Sequence, residues 1–122
     1  MTRIYRVEAK WMTQAGLLAV VIKNTNKPFL HRCGYVAVPK EHGLFGVNYG
    51  LVAGVKVHGG LTYSDKGDGY PTRVKEDVWW LGFDTGHTSD LHRPRRLGYC
   101  IEQCENMAHD LIHRAYKLAK ED

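Results

Sequence analysis

Cysteine is scarce in this chain: three residues in 122, at positions 33, 100 and 104. An odd, sparse count without secretory features argues against the disulfide framework of small extracellular domains. Long hydrophobic runs are also missing. The longest, Leu17-Leu18-Ala19-Val20-Val21-Ile22, is six residues, whereas a membrane-spanning helix needs about 20. Arg3, Arg6, Glu8 and Lys10 break up the apolar stretch that a signal peptide requires. There is no internal repeat, low-complexity tract or linker. No strong charge of one sign is present either: 17 Lys and Arg stand against 13 Asp and Glu, a net +4. That balance permits attraction to phosphates or acidic surfaces without requiring it. No helix-turn-helix, zinc-finger or basic recognition helix is apparent, which argues against sequence-specific DNA reading. What remains is a cytoplasmic protein without a membrane anchor, forming a single domain over residues 1–122.

The elements that are present suggest an α+β fold. Residues 4–10 alternate apolar and charged, as a half-buried strand does. Leu17 to Ile22 is short, apolar and partly β-branched, which suits a buried strand. Asn24 to Pro28 is turn chemistry, and Phe29 to Val38 predicts a third strand closed by Pro39. Residues 39–54, rich in glycine and aromatics, predict a loop. A strand over Val55 to Tyr63 would put Lys56, His58, Gly60 and Thr62 on one polar face. Residues 64–71 predict another loop, and Val78 to Asp84 another strand. Within it, Trp79, Leu81 and Phe83 would face a helix while Trp80, Gly82 and Asp84 line a recess beside His58. Leu97, Ile101, Cys104, Ala108, Leu111, Ala115 and Leu118 recur at steps of four and three, predicting one long amphipathic helix from about Gly98 to Lys120. The expected architecture is a mainly antiparallel sheet of about five strands with this helix on one face.

Several residues carry possible chemistry. His109-Asp110-Leu111-Ile112-His113 places two imidazoles at i and i+4, a zinc-chelating spacing in metalloproteases. The helical phase, at about 100° per residue, turns both away from the apolar stripe, and Asp is shorter than the glutamate those enzymes use as base. A solvated face is expected there. Cys100 and Cys104 share one side of the helix and are expected to pack as small hydrophobes. The segment Asp84-Thr85-Gly86-His87-Thr88-Ser89-Asp90 is more suggestive. Imidazole and two carboxylates at i, i+3 and i+6, with His58 nearby, suit either a divalent metal or a general acid–base pair. The alternative is that Asp84 and Asp90 cap turns while His58 and His87 are surface or hydrogen-bonded residues. Arg93, Arg95 and Arg96 follow directly and can grip phosphate in a planar fork, or form a solvated loop.

The motifs Cys33-Gly34-Tyr35-Val36-Ala37-Val38-Pro39, His42, Val57-His58-Gly59-Gly60-Leu61-Thr62 and Trp79-Trp80-x-Gly82-Phe83-Asp84-x-x-His87-x-x-Asp90, with Tyr99 and Cys104 on a helix, resemble a family of small bacteriophage- and prophage-encoded proteins. The resemblance spans about two thirds of the chain, roughly residues 33–111. It implies that His42, His58, Asp84, His87 and Asp90 form a set, and it transfers no reaction. Gln103-Cys104 stands where that family usually has Glu-Cys.

Two functions are thus expected. One is a small metal-dependent or His/Asp-based hydrolase of a nucleotide or other phosphate-containing molecule. His58, Asp84, His87 and Asp90 would act as catalytic residues or hold zinc, manganese or magnesium. His42, Thr62, Trp80, Arg93, Arg95 and Arg96 would contact the substrate. The other is a non-catalytic phage protein that binds and inhibits a host factor such as a defence system, or sequesters a nucleotide signal.

Overall fold

A computed structural model describes residues 5–25, 31–86 and 95–119. The elements are β1 (Tyr5–Met12), β2 (Leu18–Asn24), β3 (Arg32–Pro39), a 3-10 turn (Tyr49–Leu51), β4 (Val52–Ala53), β5 (Tyr63–Lys66), β6 (Val78–Asp84), α1 (Leu97–His113) and β7 (Tyr116–Lys117). Five strands form one sheet in the order β1-β2-β3-β6-β5. Every pairing in it is antiparallel. The fold is α+β, with α1 packed across β2 and β3. No helix of the described residues is long and apolar enough to cross a membrane.

The helix side of the sheet holds Ala19, Val21, Val36, Val38, Leu81 and Phe83 against Cys100, Cys104, Met107, Ala108 and Leu111. Period-two alternation on β6 therefore sends Leu81 and Phe83 where expected, with Trp79 half-buried beside them. Gly34 is the small residue that makes this possible. A Cβ there would collide with the Phe83 ring and would lie 2.7 Å from Cys104 Sγ.

On the opposite side, the stretch around Trp80 and Gly82 is not an open recess. Val20, Ile22, Cys33, Tyr35, Ala37 and Trp80 form a second buried cluster, covered by Tyr5, Tyr63, Val74 and Val78. Trp80 is fully buried and Gly82 lies under the Tyr35 ring, whose Cδ1 would be 2.5 Å from an added Cβ. The expected pocket wall is thus part of the core. The cover comes from the β5–β6 connection, which its polar composition had marked as a loop over residues 64–71. Tyr63 to Lys66 are instead a strand, and Tyr70 and Pro71 fold back onto the sheet. Tyr70 donates to or accepts from the Tyr35 hydroxyl at 2.7 Å and meets the rings of Tyr5, Tyr35 and Tyr63 edge-on.

Two other expectations are corrected. The strand over Val55 to Tyr63 is absent. Gly60 N–H donates to Val57 O at 2.9 Å, closing a β-turn with Gly59 at φ +69°, a conformation glycine adopts without steric cost. Val55, Val57 and Leu61 then pack against the helix-side core. The helix also stops at His113 rather than near Lys120. Arg114 and Ala115 N–H both donate to Asp110 O, and Tyr116–Lys117 pairs antiparallel with Val52–Ala53. Ala115 and Leu118 continued the helical period by spacing alone. Cross-strand pairing, with Gly54 passing close to Arg114 O, won locally.

His42 holds this region together. Leu44 N–H donates to its Nδ1 at 3.0 Å, so Nε2 carries the proton and donates to Leu111 O at 2.8 Å. Nδ1 thereby closes a turn within the 39–47 loop, and Nε2 fastens that loop to the C-terminal half of α1. Replacing His42 with Ala strands one donor and one acceptor, and should cost about 2 kcal/mol in urea-melt stability.

Candidate functional site

One end of the sheet gathers polar side chains from four parts of the chain. Asp84 closes β6, directly opposite Cys33. Its Oδ2 accepts from the Thr62 hydroxyl at 3.0 Å and its Oδ1 from Gly86 N–H at 2.9 Å. Thr62 is itself placed by its N–H, which donates to Gly82 O at 2.9 Å. Beyond Asp84 the chain is locked by Thr85, whose N–H and hydroxyl both donate to Arg32 O, at 3.0 and 2.9 Å. The His31 ring passes close to Gly86, where an added Cβ would lie 3.0 Å from it.

Four residues before Thr62, His58 occupies the corner of the Val57–Gly60 turn, against the first turns of α1. Its N–H donates to Gln103 Oε1 at 2.8 Å, and its Nδ1 is 2.8 Å from the Tyr99 hydroxyl. The two rings meet edge-on, with centroids 5.5 Å apart. The Arg95 guanidinium stands 5.1 Å above the Tyr99 ring centroid, a cation–π geometry. Arg32 braces the same corner, donating from Nε to Glu8 Oε1 at 2.6 Å and from Nη1 to Arg95 O at 2.9 Å. Glu8 sits at the irregularity in β1 pairing between Val7 and Ala9, so the bulge serves this contact.

Of the residues expected at the site, His58, Asp84 and Thr62 belong to this end, and Arg95 borders it through Tyr99. Arg96 is the exposed residue preceding α1 and makes no side-chain cap. His87, Asp90 and Arg93 lie outside the described residues. His42 does not join them. It is bonded to Leu111, twelve residues along the helix from Tyr99, or about 18 Å at 1.5 Å per residue. Trp80 is sealed in the second cluster, where its indole N–H has no hydrogen-bond partner among the described residues. By contrast, Trp79 Nε1 donates to Val47 O at 2.8 Å.

Sequence reading missed Gln103, Arg32, Glu8 and His31 as parts of this corner. Their partners are 24 to 63 residues away in sequence, so no local spacing could reveal them. All three thiols are buried. Burial pushes Cys33 up to about 12, against a smaller opposing effect of the Tyr35 hydrogen bond. Burial also raises Cys104. A thiol kept protonated is not a nucleophile.

Among the described residues, no three His, Cys, Asp or Glu side chains come together as a metal-binding group. Imidazole and carboxylate are suitable donors for zinc or manganese, and carboxylate for magnesium. A separate concavity of about 840 Å³ lies on the face away from α1. Lys10, Met12, Ala37, Val74 and Val78 are among its lining residues, and none of the expected site residues is.

The fold and this corner define an antiparallel sheet with a helix on one side, carrying a His–Tyr–Arg and Asp–Thr arrangement at one end. No family model, curated protein or solved structure matches the chain.

Proposed function

We propose that the chain is a small hydrolase acting on a phosphate-containing molecule, a nucleotide foremost, at the sheet end marked by Asp84 and His58. The observation that carries this reading is the fixing of Asp84. A strand-end carboxylate held by one hydroxyl and one backbone N–H stays an oriented acceptor. His58 is suited to moving a proton. Its Nδ1 is 2.8 Å from the Tyr99 hydroxyl, a pair that can pass a proton in either direction. Arg95 and Arg96 supply positive charge for the phosphate. A divalent zinc, manganese or magnesium ion, held by His58 and Asp84 with His87 and Asp90, would supply Lewis-acid activation of water.

Asp84→Asn keeps the shape, its oxygen still accepting from Gly86 N–H while its NH2 donates to a reversed Thr62 hydroxyl, so it removes the charge with little change of structure. Phosphate-ester turnover and nucleotide binding should be measured on untagged protein. The expected result is a loss of turnover of roughly 100-fold or more in Asp84→Asn and His58→Ala. Wild-type turnover in both variants, or no nucleotide binding by the parent, refutes the reading.

A second reading is favoured by one observation: His58 uses its N–H and Nδ1, and His42 its Nε2, to hold α1 in place. Polar residues that build a scaffold suit a non-catalytic protein that inhibits a host factor or sequesters a nucleotide signal. Under it, His58→Ala lowers the melting temperature while the folded variant still inhibits.

A further inference from the structure

Two histidines outside that site are on the far half of α1. His109 and His113 are four residues apart in a regular helix, which stacks them one turn above another. Their rings are adjacent, with centroids 4.5 Å apart and planes tilted by 44°. Both are exposed, the His109 side chain at 57%. Neither packs into the core.

We propose that His109 and His113 chelate a first-row divalent transition-metal ion such as Zn²⁺, Ni²⁺ or Cu²⁺, with water completing the coordination. Two imidazoles at i and i+4 on one helix face are a recurrent zinc-binding pair. Here they are side by side before any ion arrives, so little side-chain freedom remains to be lost on binding.

Two features of the surroundings favour a cation. The pair is in the last turns of α1, where the helix dipole is negative. Asp110 places Oδ1 3.9 Å from His109 Nδ1. That carboxylate is anchored, because its Oδ2 accepts from Lys56 N–H at 3.0 Å. Its charge favours the proton on Nδ1, leaving Nε2 as the donor atom. This is the carboxylate–histidine–metal order found behind many ligating imidazoles. The Arg114 guanidinium, also 3.9 Å from Asp110 Oδ1, offsets part of that charge. Among the described residues no third His, Cys, Asp or Glu joins the pair as a metal-binding group, so water would complete the coordination.

The test is calorimetric titration of Zn²⁺, Ni²⁺ and Cu²⁺ alone into untagged protein near neutral pH. One ion per chain should bind at this site, with Cu²⁺ tightest as the Irving–Williams order requires. His109→Ala and His113→Ala should each weaken that binding at least tenfold, and His58→Ala should leave it intact. Alanine is the best helix former and both positions are exposed, so the variants fold; circular dichroism verifies this. Binding unchanged by either substitution, binding lost only in His58→Ala, or no binding at millimolar metal overturns the proposal.

Discussion

Phe83→Ala should cost about 3–5 kcal/mol of folding free energy, the range for removing a fully buried aromatic ring. Phe83 is 1% exposed and sits between β3 and α1. The sharper measurement is its coupling to Gly34. Gly34→Ala alone places a methyl group against the Phe83 ring and Cys104 Sγ, and overpacking of this kind costs about 1–3 kcal/mol. In the Phe83→Leu background the ring is gone and the methyl has room. The double substitution should therefore be less destabilising than the sum of the singles by about 1 kcal/mol or more, as for residues in contact. Urea melts of the four proteins give the cycle. Strict additivity would mean that Gly34 is not the seat of the ring.

Stability should also fall steeply in alkali. Cys33 is raised from 9.0 to about 12, by burial first, and Tyr63 from 10.0 to about 12, by burial and then by the Asp65 charge. Burial also raises Tyr35, Tyr70 and Cys104. All five groups hold their protons more tightly folded than unfolded. The stability they contribute is fully present below the unfolded values near 9 to 10, and is lost as pH rises toward 12. At about 1.4 kcal/mol per pKa unit, Cys33 by itself represents up to roughly 4 kcal/mol across that window. Denaturant midpoints between neutral pH and pH 11 should decline, and Cys33→Ala should flatten the decline by up to one proton's worth of slope. A flat profile would show these groups to be as accessible in the native state as in the unfolded chain.

The elements most legible in the sequence were those in which one local pattern decided the structure. Val78 to Asp84 has the alternation of a strand with both faces covered, and it became β6 with its bounds intact. The stripe on α1 announced a helix on a sheet. Cys100 and Cys104 packed as hydrophobes, and His109 and His113 faced water, because helical phase follows from spacing alone. At the site, Thr85 and Gly86 were visible only as a bend after a strand, and His42 looked like a possible ligand because an imidazole's hydrogen-bond partners cannot be read from its neighbours in the chain.

What the sequence determined by itself, then, was the class of fold, the identity of the main strands and the helix, and which faces are apolar. These depend on periodicity and burial, which are local in sequence. Tertiary structure decided the rest. It turned Val57–Gly60 into a corner instead of a strand, and ended α1 early by pairing Tyr116–Lys117 with Val52–Ala53. It also sealed Trp80 beneath the β5–β6 connection, and separated His42 from Asp84 and His58 along the length of one helix. Each outcome depends on contacts between residues tens of positions apart, where the energy of closing a turn, pairing an edge or filling a cavity outweighs local preference.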